Sequence, residues 1–155
     1  MSIRFRYQPY PVSQPIPGLQ GSLVRYRPVI PITLLGLGGS VLRQGLADTG
    51  ADDTIFPESY ASQIGVDLST APLRVGAGVG LHPLSVRLAE ITLRIADQHE
   101  RHEWKAWVGF TFARVRFPLL GQVGFFQYFD AMFYNVQKEL ELTTNQQFVG
   151  TSLIT

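Results

Sequence analysis

From residue 29 onward the chain contains short strand-like runs, the first two punctuated by glycine and later ones with alternating apolar and polar residues. Runs of this kind occupy residues 29–37, 38–47, 88–95, 102–110 and 135–142. In the third run, Ile91, Leu93 and Ile95 alternate with polar side chains, a period of two that predicts a strand with one buried face. Trp104 and Trp107 are three residues apart in the fourth run, so they point to opposite faces and at least one is expected in the core. The pattern predicts a mostly β domain.

Two segments have the spacing of short helices. In residues 57–64, Pro57 suits a first helical turn and Gly65 suits a C-terminal cap. In residues 121–130, apolar side chains recur three and four positions apart, which predicts a short amphipathic helix. We therefore expect one or two short helices beside the strands.

The two ends of the chain differ from the middle. Residues 1–22 form a proline-rich arm, predicted to be extended because proline fixes φ and restricts the residue before it. The arm is interpreted either as a loose tail or as a strand laid on a partner. Residues 23–143 form the predicted domain, and residues 144–155 a tail that can be an interface strand or disordered.

Composition narrows the class of protein. The 155 residues amount to one domain, and 45% apolar with 16% charged residues excludes a disordered chain. With 13 basic and 12 acidic residues the formal net charge is +1, which predicts neither nucleic-acid nor membrane binding. The absence of Cys excludes disulfides and thiolate chemistry. With no apolar run of about 20 residues and no signal-peptide pattern, we expect a cytoplasmic protein.

Candidate chemistry is concentrated in residues 46–56, LADTGADDTIF. Asp48 follows an apolar run, Thr49 supplies a small hydroxyl group, and Gly50 allows a tight turn close to a ligand. An Asp-Thr-Gly tripeptide is by itself an ordinary turn between two strands. The residues on either side of this tripeptide are therefore needed to distinguish an ordinary turn from an active-site loop.

The segment DTGADDT resembles the active-site loop of retropepsins, the retroviral-type aspartic proteases and their cellular relatives. Three further features occur in that family's order: Arg27-Pro28 before the apolar runs, a glycine-rich segment at residues 73–80 similar to a flap hairpin, and Leu119-Leu120-Gly121 with a helix expected after it. The resemblance covers roughly residues 27–143. It implies the closed-barrel acid-protease fold, with a single lobe that forms a homodimer.

The resemblance also implies the site residues. Asp48, Thr49 and Gly50 take the catalytic positions. The chain has one such motif, and two carboxylates are needed to share one proton, so the second Asp48 comes from another copy of the chain. No metal or cofactor is implied. The positions implied for binding substrate are Ala51, Asp52, Asp53, Val75, Gly76, Ala77, Gly78, Val79 and Gly80.

Two positions change the expectations drawn from the family. Ala51 cannot donate the hydrogen bond that a hydroxyl residue provides in pepsin-like relatives, which predicts a mildly acidic to neutral pH optimum. Gln122 stands where the family often has an arginine that pairs with the position of Asp52, so the substrate contacts and the dimer are less supported.

Other motifs have simpler interpretations. The glycines of residues 76–80 do not fit a dinucleotide fingerprint, because Leu81 replaces its last glycine and no βαβ unit surrounds them. Residues 99–102, HERH, are interpreted as a solvated hairpin tip rather than as metal ligands.

The predicted function is hydrolysis of peptide bonds in extended polypeptides by a homodimeric aspartic endopeptidase. The expected partners are a second copy of the chain and a peptide or unfolded protein. The alternative is a retropepsin-fold dimerisation or peptide-binding module with little turnover.

Overall fold

The computed structural model describes residues 2–77 and 83–154, and most of these residues lie in strands. The mostly β class predicted from the alternation is confirmed. The described strands are β1 Ser2–Arg6, β2 Gln8–Ile16, β3 Ser22–Arg27, β4 Val29–Gly36, β5 Gly39–Ala47, β6 Ile55–Pro57, β7 Leu73–Ala77, β8 Pro83–Ala96, β9 Glu100–Thr111, β10 Leu119–Leu120, β11 Phe129–Tyr134, β12 Glu139–Thr144 and β13 Thr151–Ile154.

The largest sheet contains eight strands in the order β13-β9-β6-β10-β5-β4-β8-β7, and β8 pairs with β9 as well. The alternation in β8 and β9 has the expected consequence. Ile91, Leu93 and Ile95 are buried, and on β9 Trp104 is 2% exposed while Trp107 is 52% exposed. The predicted inward face of each strand therefore forms the core.

A second sheet, of order β1-β12-β11, covers part of this core. Ile3 of β1 is paired with Leu142 of β12, and both side chains are fully buried. The first strand of the proline-rich arm thus pairs within its own chain. The rest of the arm forms β2, which pairs with β3 in a two-stranded ribbon, and a 3₁₀ turn at Pro17–Leu19 connects the two strands.

The C-terminal strand β13 also pairs within the chain. It runs antiparallel to the start of β9, with Ser152 opposite His102. All four residues of β13 are exposed. Within the described ranges, no helix has the length and apolar character needed to span a membrane.

The first predicted helix is present as α1, Glu58–Gln63. Pro57 precedes it as the N-cap residue, and Gly65 follows it with φ of +74°. A Cβ at Gly65 would lie 2.7 Å from Gly38 Cα, so the glycine serves both the left-handed cap and a close approach to the β4–β5 turn.

The second predicted helix, within residues 121–130, is wrong. Residues 122–128 form a series of turns in which the Phe126 and Gln127 amides each donate to a carbonyl five residues earlier. Gly124 interrupts helical geometry because its φ is +92°. A Cβ there would lie 2.8 Å from the Trp107 carbonyl oxygen, so the chain must pass close to β9 at this point.

The strand predicted from residue 135 begins later than expected. Asn135–Lys138 form the turn between β11 and β12, and Lys138 has φ of +59°. The alternation of residues 135–138 therefore reflects a hairpin turn, and the paired strand begins at Glu139.

The predicted solvated tip at residues 99–102 is also wrong in part. Glu100 and His102 are buried, at 6% and 4% exposure. The strand β13 and the ring of Phe148 cover them, and His102 Nε2 lies 3.0 Å from Glu100 Oε2. The covering strand is far away in sequence, which is why a local pattern could not reveal the burial.

Candidate active site

Asp48 directly follows β5, and β10 holds the end of that strand. Leu119 and Leu120 of β10 pair in parallel with Leu46 and Ala47. The Asp48 amide then donates a hydrogen bond of 3.0 Å to the Leu120 carbonyl. Because β10 lies between β5 and β6, it passes behind the loop of residues 48–54 that connects those two strands.

The loop turns back immediately after Asp48. The Gly50 amide donates to Asp48 Oδ1 at 3.0 Å, and the Ala51 amide donates to the Asp48 carbonyl at 3.1 Å. Asp48 is half-buried, whereas Thr49 and Gly50 are exposed. One oxygen of the carboxylate is thus held by the main chain, and the rest of the group lies at the surface of the described chain.

Thr54 anchors the far end of the loop and is fully buried. Its hydroxyl donates to the Val123 carbonyl at 2.8 Å and accepts from the Gly121 amide at 3.2 Å. Its main-chain carbonyl accepts the Gly109 amide of β9 at 2.9 Å. A single side chain therefore ties the loop to the segment after β10.

Gly121 has no room for a side chain. A Cβ at this position would lie 2.3 Å from the Asp53 carbonyl oxygen and 2.7 Å from that of Ala51. The next two residues, Gln122 and Val123, donate their amides to Ala51 and Asp52 at 2.9 Å each. The Leu-Leu-Gly segment and the loop are consequently in main-chain contact along their length.

The side chain of Gln122 adds a further contact. Its Nε2 donates a hydrogen bond of 2.8 Å to the Thr49 carbonyl. The uncharged residue at this position therefore supports the loop directly.

The predicted flap region is described only in its two arms. β7, which contains Val75, Gly76 and Ala77, pairs antiparallel with β8 from Leu73↔Arg87 to Ala77↔Pro83. Gly78, Val79 and Gly80 lie outside the described residues. Arg74 of β7 forms an ion pair of 3.3 Å with Asp53, so this hairpin contacts the loop of Asp48. The Asp52 side chain is exposed.

Possible metal ligands are not clustered among the described residues. In residues 2–77 and 83–154, no three His, Asp or Glu side chains gather closely enough to form a candidate metal site.

A solved structure has the same arrangement of the chain. The sequence matches no family model and no curated protein. The crystal structure of a retropepsin-like aspartic protease from Rickettsia conorii superimposes with a TM-score of 0.59 at 13% identity, covering 100% of this chain and 94% of the other. The chain has the retropepsin-like fold.

In this retropepsin-like chain, the residues expected in the catalytic loop and the two arms of the expected flap hairpin are neighbours in space. The Arg74–Asp53 ion pair joins them. Their assignment to catalysis and substrate binding remains a prediction, because 13% identity establishes a shared fold only.

Sequence reasoning missed several residues that shape this region. Thr54 belongs to the DTGADDT motif, yet nothing local indicates that its hydroxyl contacts Val123, 69 residues away. Arg74 lies in the glycine-rich segment that resembles a flap, and the sequence does not indicate its ion pair with Asp53. In the sequence Gln122 is only a departure from the family, because its contact with Thr49 depends on the tertiary fold.

Proposed function

We propose that the protein is a homodimeric aspartic endopeptidase that hydrolyses extended polypeptides. The observation that supports this most is the loop of Asp48, a half-buried carboxylate at a strand end, braced by β10, Thr54 and Gln122 in a retropepsin-like fold. Each copy would contribute a single-lobed closed barrel and one Asp48. The proposal requires two copies because the chain has a single Asp-Thr-Gly motif.

The proposed chemistry follows from two carboxylates about 3 Å apart that share one proton, as in known aspartic proteases. The ionised Asp48 takes a proton from a water molecule, whose oxygen forms a bond to the scissile carbonyl carbon. The protonated Asp48 of the second copy gives its proton to the carbonyl oxygen. When the tetrahedral intermediate collapses, the second Asp48 takes back a hydroxyl proton as the C=O bond re-forms and the C–N bond breaks. The amine leaves with the proton that the first Asp48 had taken from the water.

The other predicted residues take roles around this pair. The Thr49 hydroxyls would brace the two loops across the dimer axis. Asp52 and Asp53 would hold the substrate main chain, with the β7–β8 hairpin closing over it. Ala51 has no hydroxyl to donate to the carboxylate, so we propose a mildly acidic to neutral pH optimum. A pH–rate profile that peaks at strongly acid pH would contradict that part.

The deciding experiment combines sedimentation with cleavage of an unstructured protein. The wild type is expected to sediment as a dimer and to cleave, whereas Asp48→Asn should dimerise but not cleave. Asp130→Asn is the matched control, since Asp130 is an exposed residue of β11 outside the loop. Cleavage that persists in Asp48→Asn would refute the proposal. A wild-type dimer that binds peptides and cuts none would favour the binding-module alternative.

A further inference from the structure

Two arginines lie over one aromatic ring beside the β2–β3 ribbon, and a third arginine lies on the same face of the ribbon. Tyr10 and Arg25 are directly opposite each other on the ribbon, and Arg27 lies two residues further along, so all three belong to one face. That face meets Phe117: the Tyr10 ring is 5.1 Å from it, and the Arg27 guanidinium is 5.7 Å from its centroid. The guanidinium of Arg116 lies 5.4 Å from the same centroid. We call Arg25, Arg27 and Arg116 the arginine cluster.

Within residues 2–77 and 83–154, the positive charge of the arginine cluster is not compensated by an ion pair. Among the residues that the structure describes, no carboxylate forms an ion pair with any of its three members. Within the same residues, Arg27 Nε is buried and has no hydrogen-bond partner. Burial, followed by repulsion from Arg116 and Arg25, lowers the pKa of Arg27. Such a group is stabilised when an anion with hydrogen-bond acceptors lies against it.

The segments that carry the arginine cluster are hydrogen-bonded to β5, the strand that ends just before Asp48. Pro28, the residue after Arg27, accepts a hydrogen bond of 2.9 Å from the Ala47 amide. Pro118, the residue after the central aromatic ring, accepts one of 2.8 Å from the Leu46 amide. Both sides of the cluster are therefore held against the last two residues before Asp48.

We propose that the arginine cluster is a specificity subsite that selects polypeptide substrates with an Asp or Glu side chain near the bond to be cut. The inference rests on the proposed endopeptidase function and names its substrate class. A carboxylate fits because a guanidinium donates two parallel hydrogen bonds to its two oxygens, and the Phe117 ring holds two of the guanidinium groups in place. The formal net charge of the whole chain is only +1, so the attraction is local to this cluster.

The experiment uses peptides that differ only by an acid and its amide isostere, Asp against Asn or Glu against Gln, at each of four positions on either side of the cleaved bond. The wild type is expected to show a kcat/KM ratio of about tenfold in favour of the acid at one or two positions. In Arg116→Gln and Arg25→Gln this ratio should fall toward one, and added salt should lower it in the wild type. Both arginines are exposed, so these variants should fold. Arg101→Gln, at an exposed residue of β9, should keep the wild-type ratio.

A binding measurement separates this inference from the proposed function. Fluorescence anisotropy with Asp48→Asn reports peptide affinity without turnover, and the acid peptides are expected to bind about tenfold more tightly than their amides. If the wild type cleaves nothing but this difference persists and disappears in Arg116→Gln, the endopeptidase proposal fails and the subsite stands. Equal affinity and equal kcat/KM at every position would overturn the subsite. So would a weakened dimer in the arginine variants with an unchanged acid-to-amide ratio, because the cluster would then serve the interface.

Discussion

The side-chain amide of Gln122 donates a hydrogen bond of 2.8 Å to the main-chain carbonyl of Thr49. The Gln122 main-chain amide donates to Ala51 in the same loop, at 2.9 Å. Gln122, which follows β10, therefore contacts the loop of Asp48 on both sides of Gly50, at Thr49 and at Ala51. At the position where the retropepsin family often has an arginine, this chain therefore supports its loop with an uncharged side chain.

Replacing Gln122 by Met tests this support. Met has nearly the same length but no donor, so the Thr49 carbonyl loses one partner while the packing is kept. The free energy of unfolding should fall by about 0.5–1.5 kcal/mol, measured by urea denaturation. If the protein is a peptidase, kcat should fall more than KM rises, because the loop positions Asp48. Gln146→Met, at an exposed residue after β12, is the control and should change neither quantity.

Much of the fold could be predicted because its signal is local. The period of two in β8 predicts that Ile91, Leu93 and Ile95 lie in the core, and Gly65 after a helix-compatible segment predicts the end of α1. The loop of Asp48 was found by its motif, which contains its own turn. These features depend on neighbours a few residues away in the sequence.

The errors arose where distant segments meet. The amphipathic spacing around Phe125 resembles a helix, but Gly124 must pass against Trp107 and takes a positive φ there. Glu100 and His102 look like a polar tip until β13 covers them. The arginine cluster joins residues about 90 positions apart along the chain. Such contacts are a property of the tertiary fold and have no local pattern.

Thr54 provides a second test of the loop. Thr54→Val keeps the shape of the side chain but removes the hydroxyl, so the buried Gly121 amide and the Val123 carbonyl each lose one hydrogen-bond partner. We expect a loss of about 1–3 kcal/mol in the free energy of unfolding. Thr143→Val, at an exposed position of β12, should stay within about 0.5 kcal/mol of the wild type. Equal stability of the two variants would show that the Thr54 hydroxyl does not anchor the loop.

The buried pair of His102 and Glu100 makes β13 part of the folded unit. His102 Nε2 lies 3.0 Å from Glu100 Oε2, and its Nδ1 lies 2.8 Å from the Ser152 hydroxyl. His102→Leu leaves Glu100 buried without this partner, so the free energy of unfolding should fall by about 2–4 kcal/mol. Hydrogen exchange of the main-chain amides of residues 151–154 should become faster, because the hydrogen bond between His102 and Ser152 of β13 is lost.

The matched control for that experiment is His99→Leu. His99 is an exposed residue three positions earlier, and its main-chain amide, which donates to Asp97, is retained in the variant. Its stability and the exchange of β13 should remain close to those of the wild type. If His102→Leu behaves like this control, the pair contributes nothing to holding the C-terminal strand.

Stability against acid should depend on Glu141 of β12. Hydrogen bonds from the Ser2 and Tyr134 side chains, with a smaller contribution from the charge of Arg4, lower the pKa of Glu141. A carboxyl whose pKa is lower in the folded than in the unfolded state stabilises the fold above its unfolded pKa, about 4.3, and loses this contribution as the pH falls through the folded value. Glu141→Gln should therefore be less stable than the wild type at pH 7, and the difference should shrink as the pH approaches 3.

Urea denaturation at successive pH values measures this difference in stability, with Glu90→Gln, at an exposed residue of β8, as the control. If the difference in stability between the wild type and Glu141→Gln stays constant between pH 7 and pH 3, the ionised Glu141 carboxylate does not stabilise the fold.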